Sequence, residues 1–275
     1  MNTRTYYIDS HNRINSGDSH SNFTYKIDLP NIKQADAKGL AVVCLSATIP
    51  RSYYLVRSGL NTFKIDEGGG KTATVTVPAG NYSATSFKSA VGTLMTNASP
   101  NAYTYTITLS LVTGKFSYTC TGVTSIIMFA AATSTLYEQF GFTANSTNVV
   151  PATSTNVVLF QSKNTLQIHS DMIDDGQTDI LQEINTSGTT DFSSISYRCP
   201  EALMYAKQLR TNSSNVFQFR VTDEDGLDLE LNGLNVVLAI KLFQPIEYLI
   251  RTYLNWKITD SEYMMIQNEE KKNNN

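Results

Sequence analysis

The span from Asn215 to Phe243 constrains the fold of this chain more than any other segment. Its first strand alternates apolar and polar residues, the turn Asp223–Gly226 follows, and alternation resumes afterwards. The Asp-Gly pair supplies the left-handed backbone that a tight hairpin needs, and Asn232-Gly233 repeats this signal. Residues 234–243 are almost continuously apolar, which is typical of a strand buried on both faces. The span therefore predicts antiparallel β-structure packed as a sandwich. In this span Phe217, Phe219 and Val221 share one face of the first strand, and Leu227, Leu229 and Leu231 share a face after the turn.

Similar strand patterns occur towards both ends of the chain. They predict strands at residues 22–29, 40–49, 157–160, 166–169, 180–184 and 192–197. With the hairpin these make about eight strands, which is enough for a jelly roll. We therefore expect an all-β jelly-roll sandwich, formed as a single domain by residues 1–60 and 151–255.

Residues 61–150 follow a different pattern, which predicts a small inserted α+β unit. A strand at 71–77 leads into a helix that begins behind a Ser83 cap, and a hairpin then turns at Thr113-Gly114. A second short helix is predicted over residues 135–140.

The ends of that second helix and of the inserted unit also have sequence signals. Ser134 is the predicted cap of the helix, and Gly141 is its predicted C-terminal stop. Residues 145–156 are rich in Asn, Ser, Thr and Pro and predict a linker out of the unit. The polar tail 256–275 is predicted to be partly disordered.

Composition limits the classes of partner. The net charge is −3 and the pI is about 5.6, which disfavours a specific nucleic-acid partner. Only 16% of residues are charged, below the roughly 25% of an average soluble chain, and this favours surfaces that are shared in an assembly. No apolar run is long enough for a membrane span. We interpret Cys44, Cys120 and Cys199 as three reduced thiols, because their number is odd and their spacing unpaired.

Histidine is the residue type that most readily serves catalysis or metal binding, and this chain has His11, His20 and His169. None stands at a spacing typical of metal ligands, so surface positions are expected for all three. His169, Ser170 and Asp171 have the residue types of a catalytic triad. Adjacent residues of a strand point to opposite faces, however, so we predict no catalytic residue here.

Two acidic segments and one glycine-rich segment also invite a functional interpretation. The Asp223–Gly226 turn and the loop with Asp171, Asp174 and Asp175 lack the spacing of a calcium loop, and are expected to be an acidic turn and an acidic loop. Gly68–Lys71 lacks the other elements of a phosphate-binding loop and predicts a flexible hairpin loop. We therefore predict no metal site and no cofactor.

The amino-terminal segment has two interpretations. It is either an ordinary exposed terminus or an arm that touches a neighbouring subunit. The residues that would form such an arm are Arg4, Tyr6, Tyr7, Arg13 and Lys26.

Five motifs stand out along the chain: Tyr7–Ser10, Leu45–Pro50, Val77–Ser83, Leu136–Phe142 and Val221–Gly226. Together they resemble the vertex capsid proteins, or pentons, of virophages and of related polinton-like and large double-stranded DNA viruses. The resemblance implies a single jelly roll that forms a homopentamer and closes the icosahedral fivefold vertex of a virion. It implies an inserted unit that faces outward, neighbouring major-capsid-protein capsomers as partners, and assembly in the host cytoplasm. It offers no catalytic residue.

Other function classes remain open at this point. A minor capsid protein that cements capsomers would share the assembly surfaces, and the tails 1–22 and 255–275 are candidates for bridging to adjacent capsomers in either case. A carbohydrate-binding module for a host surface would stack sugars on exposed aromatics such as Tyr103 or Tyr137, although core packing is the alternative duty of both. A β-sandwich hydrolase would need convergent carboxylates or a base, which this sequence does not supply.

Overall fold

The computed structural model describes residues 3–28, 40–123, 125–161, 164–173, 179–210 and 215–244. The chain forms two compact units. Unit 1 comprises Met1–Ser52 with Lys163–Asn275, and unit 2 comprises Tyr53–Ser162. The predicted tail at 256–275 and the acidic residues Asp174 and Asp175 lie outside the described residues.

Both units are built mainly from antiparallel strands. The strands of unit 1 are β1 (Arg4–Asp9), β2 (Asn22–Lys26), β3 (Ala41–Pro50), β11 (Thr165–Ser170), β12 (Ile180–Asn185), β13 (Ser194–Arg198), β14 (Lys207–Gln208), β15 (Val216–Asp223) and β16 (Val237–Phe243). The strands of unit 2 are β4 (Thr62–Asp66), β5 (Thr72–Thr76), β6 (Tyr105–Ser110), β7 (Lys115–Cys120), β8 (Ser125–Met128), β9 (Thr147–Val150) and β10 (Ala152–Thr153). Its helices are α1 (Ala84–Ala98) and α2 (Tyr137–Phe140).

Unit 1 contains two sheets whose strand order is that of a jelly roll. One sheet runs β1-β16-β3-β13, with the short β14 also paired to β3, and the other runs β12-β11-β15-β2. Apart from β14, the strands of the first sheet are thus the first, eighth, third and sixth of unit 1, and those of the second are the fifth, fourth, seventh and second. This is the interleaved order of a double Greek key. The fold class predicted from the sequence is confirmed.

Alternation along the strands places apolar side chains between the sheets of unit 1. In β15, Phe217 and Phe219 are buried, and the ring of Phe219 stacks on that of Phe23 in β2 with centroids 5.9 Å apart. Leu238 and Ile240 of β16 are also fully buried. Burial of such side chains contributes roughly 1.5–3 kcal/mol each, so these alternating faces hold the sandwich together.

Three local predictions in the outer segments are wrong. The interpretation of the amino-terminal segment as an ordinary exposed terminus is wrong, because β1 pairs with β16 from Arg4↔Leu242 to Asp9↔Val237. Residues 157–160 form no strand, since the amide of Val158 donates to Gly114 O and that of Leu159 to Glu138 O, which lie on different elements. After the Asp223–Gly226 turn, residues 227–231 make only an isolated bridge to β15, although Leu229 and Leu231 are buried as predicted.

Unit 2 packs two small sheets and a helix around an aromatic core. The sheets run β5-β4-β8-β9 and β10-β7-β6, and α1 lies against β6 and β5. Helix α1 begins as predicted at Ser83, whose Oγ accepts from the amide of Ser86 while the Ser86 side chain accepts from the amide of Ser83. The core rings are those of Phe63, Phe87, Phe116, Tyr118, Phe129, Phe140 and Phe142.

The segments at both ends of unit 2 belong to its core. Val56 bridges to Gly80, and the ring of Phe160 lies 5.1 Å from that of Phe87. The unit therefore begins at Tyr53 and ends at Ser162, outside the 61–150 given by sequence pattern. The predicted linker at 145–156 is wrong for the same reason, since β9 pairs with β8 and β10 with β7.

Helix α2 is shorter than predicted, and its C-terminal stop is as predicted. It ends at Gly141, which has a φ of 74° and lets the amide of Phe142 donate to Tyr137 O over 2.8 Å. Ser134 caps the turn before the helix, because its Oγ accepts from the amide of Leu136.

Among the described residues, no helix is long and apolar enough to cross a membrane.

Candidate assembly surfaces

The described part of the chain contains no group of three or more His, Cys, Asp or Glu side chains that would hold a metal ion. Cys44, Cys120 and Cys199 form no disulfide. Burial, with Cys199 nearby, raises the pKa of the Cys44 thiol to about 12, which keeps that thiol protonated and unreactive. These features do not build a nucleophile or a redox pair.

The three histidines do not share one environment, and the expectation of a surface position is wrong for His169. Its ring is buried, with Nδ1 2.7 Å from Asp179 Oδ1 and Nε2 3.0 Å from Thr222 Oγ1. His11 is exposed, and His20 is half-buried with Nδ1 2.7 Å from Asn235 Oδ1. Sequence spacing missed the environment of His169 because its partners come from another strand and a loop.

This Asp-His-Thr chain does not form a catalytic triad. The hydroxyl of Thr222 is fully buried and donates to Asp223 O over 2.9 Å, so it is inaccessible to substrate. The adjacent Ser170 is also buried, with its Oγ accepting from the amide of Met172. We assign these residues to holding β11 against β15.

Cross-strand hydrogen bonds continue over the outer face of the second sheet. Asn22 of β2 donates to Asp228 and accepts from the Gln218 side chain, with distances of 2.9 and 2.8 Å. Arg220 of β15 also binds Asp228, through Nε. The polar face is thus ordered by its own contacts before any partner is present.

The acidic segments act as turn and strand supports. Asp223 is buried, and its Oδ1 accepts from the amides of Asp225 and Leu227 over 3.0 Å each. Asp171 Oδ1 accepts from the amide of Gln218 over 2.8 Å, and burial raises the pKa of its carboxyl. The glycine loop Gly68–Gly70 joins β4 to β5 with positive φ at each residue, as a hairpin turn requires.

The outer face of the first sheet mixes apolar and charged side chains, since Asp9 of β1 pairs with Val237 of β16 and Lys241 lies two residues along β16 from Ala239. The register places Tyr7 of β1 beside Ala239 of β16, and Val237 of β16 beside Thr48 of β3. Tyr7 is 76% exposed and Val237 is 41% exposed. Such a mixture is typical of a face that a partner covers.

The residues of the predicted arm lie in and beside β1. The Tyr6 hydroxyl donates to Asp28 O over 3.1 Å, and the Arg4 guanidinium lies over the Tyr6 ring. Arg13 Nη1 donates to Ser10 O over 3.0 Å, and Lys26 pairs with Asp28 on the surface. These contacts attach the amino-terminal segment to its own unit, whereas the Tyr7 side chain is 76% exposed.

Unit 2 contains a buried carboxylate, Glu67, that could not be predicted from sequence patterns. Glu67 accepts hydrogen bonds from Ser99 Oγ, the Asn101 amide and the Tyr105 hydroxyl. The signal available in the sequence was an acidic residue at the end of a strand before a glycine turn, which is ordinary for a surface. The candidate sugar-stacking residues Tyr103 and Tyr137 are half-buried and pack against the core of unit 2.

No family model matches this chain, and no curated protein matches it. Among solved structures it is similar to the penton protein of mavirus, at 13% identity and a TM-score of 0.42, over 87% of this chain and 98% of that one. It is also similar to the flagellar cap protein FliD of Escherichia coli (domains D1-D2-D3), at 10% identity and a TM-score of 0.18, over 94% of this chain and 65% of that one. The fold assignment rests on the strand order of unit 1.

Proposed function

We propose that this chain is a structural capsid protein, the penton subunit that assembles as a homopentamer and closes the fivefold vertices of an icosahedral virion. Unit 1 is the capsid domain, and unit 2 faces outward, where it is available to a host receptor. Neighbouring major-capsid capsomers are the other partners in the virion, and the host cytoplasm is the place of assembly.

The observation that supports this proposal most is the strand order of unit 1. Jelly rolls occur in viral capsid proteins, lectins and cupins, so this strand order favours one of these three classes of protein. All of unit 2 is inserted between β3 and β11, which leaves both sheets of the jelly roll continuous. The sequence motifs that resemble pentons fall on strands, turns and α2.

Two features disfavour the enzyme and lectin classes. A cupin-type enzyme needs a cluster of metal ligands, and the described residues provide none. A lectin needs aromatic faces open to sugar, whereas Tyr103 and Tyr137 are engaged with the core of unit 2.

The outer faces of unit 1 suit contacts between copies in a ring. A ring requires heterologous contacts, in which one surface meets a different one. The first sheet presents Tyr7 and Val237, and the second presents Asn22, Gln218 and Arg220. A contact between these two faces would therefore join different residues on the two copies.

The test is the solution mass of the purified protein by light scattering over a concentration series, followed by reconstruction of particles that contain it. We expect a mass near five times 30.4 kDa and density at fivefold vertices only. Density between capsomers away from these vertices would make the chain a cement protein and overturn the proposal. Glycan-array binding that is lost in Tyr137→Ala, with no incorporation into particles, would favour the carbohydrate-binding class instead.

A further inference from the structure

The hairpin of β6 and β7 in unit 2 ends in an exposed aliphatic tip. Leu111 and Val112 are consecutive and are 90% and 95% exposed. Val157 extends this apolar patch, because it is itself 61% exposed and a Cβ added at Gly114 of the turn would lie 2.9 Å from Val157 Cγ1. Aliphatic side chains that adjoin one another in water add nothing to the core of their own unit, so they mark a surface of contact.

The backbone of the turn is hydrogen bonded within unit 2. The amide of Gly114 donates to Ser110 O over 2.8 Å, and the amide of Thr113 donates to Ser110 Oγ over 3.3 Å. Gly114 O accepts from the amide of Val158 over 2.9 Å. A polar backbone group without a partner is costly to remove from water, so these bonds lower the cost of moving the turn into an apolar medium.

The hairpin is almost free of charge. Lys115 is the only charged residue in the sequence between Lys88 and Glu138. It begins β7, where its Nζ donates to Thr155 O over 2.8 Å. One lysine provides little long-range attraction, so a contact made by the tip depends on the burial of apolar surface.

The residue types of the tip fit a lipid bilayer better than a pocket on a protein. Protein interfaces draw most of their binding energy from Trp, Tyr and Arg, whereas Leu, Val, Ser and Thr are under-represented among the residues that matter most. Leu and Val are also among the residues that enter a bilayer most favourably. A bilayer accepts an exposed turn without a cavity of matching shape.

We propose that Leu111 and Val112 insert into the interfacial region of a lipid bilayer, with Val157 at the base of the contact. This inference rests on the proposed function, because a single small apolar tip gives only marginal membrane binding. In a pentamer whose second units face outward, five tips would engage one membrane. Linked sites of this kind strengthen binding by about a hundredfold or more over a single site.

The first experiment is flotation of the full chain with phosphatidylcholine vesicles. Val112→Asp places a carboxylate in the contact, and we expect it to weaken vesicle binding by at least about tenfold. Val123→Asp is the matched control and should bind as wild type does, since Val123 is 96% exposed in the same unit but lies beyond the other end of β7. Equal losses in the two variants would overturn the proposal, and so would a wild-type assembly that does not float.

The second experiment places a tryptophan at the tip. Because Trp favours the membrane–water interface, Val112→Trp is expected to bind vesicles more tightly than wild type, with its emission shifted to shorter wavelength when lipid is added. Val123→Trp is expected to show neither change, and the native Trp256 contributes the same background to both variants. This readout follows the tip of each chain whatever its oligomeric state. The same emission from the two variants at saturating lipid contradicts insertion.

Light scattering of the same samples without lipid separates this inference from the proposed function. A mass of five chains with no vesicle binding overturns the lipid contact and leaves the penton proposal standing. A monomer whose Val112→Trp emission shifts on vesicles supports the lipid contact and counts against the penton. A lower oligomeric mass of Val112→Asp in the absence of lipid would assign the tip to a contact between subunits and overturn the lipid contact.

Discussion

The hydroxyl of Tyr105 donates a hydrogen bond to Oε1 of Glu67 over 2.9 Å in the interior of unit 2. Glu67 directly follows β4, and Tyr105 begins β6. Ser99, just after α1, donates to the same carboxylate oxygen over 2.6 Å. One buried carboxylate thereby joins a strand, the C-terminal end of a helix and a hairpin.

Glu67→Ala is expected to destabilise unit 2 strongly. Three donors would lose their acceptor in a buried place, which costs roughly 2–4 kcal/mol. Hydrogen exchange of β4 and β6 amides measures this loss locally. Lys64→Ala, three residues earlier on the exposed face of β4, is the control and should change exchange little. Equal protection in both variants would show that the carboxylate is dispensable.

Alkaline pH should destabilise unit 2 through its buried phenols. Burial raises the pKa of Tyr118 well above its ordinary 10.0, and it also raises that of Tyr105. The folded state therefore keeps a proton that the unfolded chain releases above about pH 10. The stabilisation is complete below that pH and falls as the pH rises, by up to about 1.4 kcal/mol per pH unit for each phenol.

Tyr118→Phe tests this pH dependence. The variant loses the hydrogen bond that the hydroxyl donates to Phe140 O over 2.7 Å, so it should be less stable at neutral pH. Its free energy of unfolding should nevertheless fall less steeply than that of wild type between pH 10 and 11, in urea titrations at each pH. Tyr7→Phe, which changes an exposed tyrosine, is the control. Parallel slopes in wild type and Tyr118→Phe would contradict the prediction.

His169→Ala is expected to destabilise the jelly roll of unit 1. The change removes a buried ring that bonds Asp179 on one side and Thr222 on the other, and we expect a loss of roughly 1–3 kcal/mol in urea unfolding. His11→Ala, at an exposed position, should stay within about 0.5 kcal/mol of wild type. If His11→Ala lowers the free energy of unfolding as much as His169→Ala does, the buried contacts of His169 do not stabilise the fold.

Gly141→Ala should perturb α2 and the segment around Asn156 that packs on its end. A Cβ at this residue would lie 2.6 Å from Asn156 O, and the φ of 74° is already unfavourable for alanine. Gly59→Ala is the matched control, because Gly59 has a φ of 80° and open space around it. We expect Gly59→Ala to cost about 1 kcal/mol from the backbone alone and Gly141→Ala to cost distinctly more, measured by thermal unfolding. Similar melting temperatures for the two would exclude the steric contribution.

The strands of the jelly roll were predictable where apolar and polar residues alternate strictly or where an apolar run is long and uninterrupted. Residues 216–221 and the core of β3 are of this kind, and so is helix α1 with its Ser83 cap. Strand β1 was missed because Ile8 is its only fully buried residue, and its partner β16 is distant in sequence. The apolar residues 157–160 predicted a strand, although Val158 and Phe160 instead pack their side chains against the core of unit 2, to which they belong.

The sequence by itself determined the β class, the inserted α+β unit, and the absence of any local motif for catalysis or metal binding, because these depend on residue type and short-range periodicity. Only the tertiary structure decided which strands pair, that His169 lies between Asp179 and Thr222, that Glu67 is buried, and that Phe160 packs against Phe87 in unit 2. Each of these relationships joins residues far apart along the chain. Local periodicity has no information about such pairs, since long-range pairing follows from the burial of whole faces and from the geometry of the completed sheets.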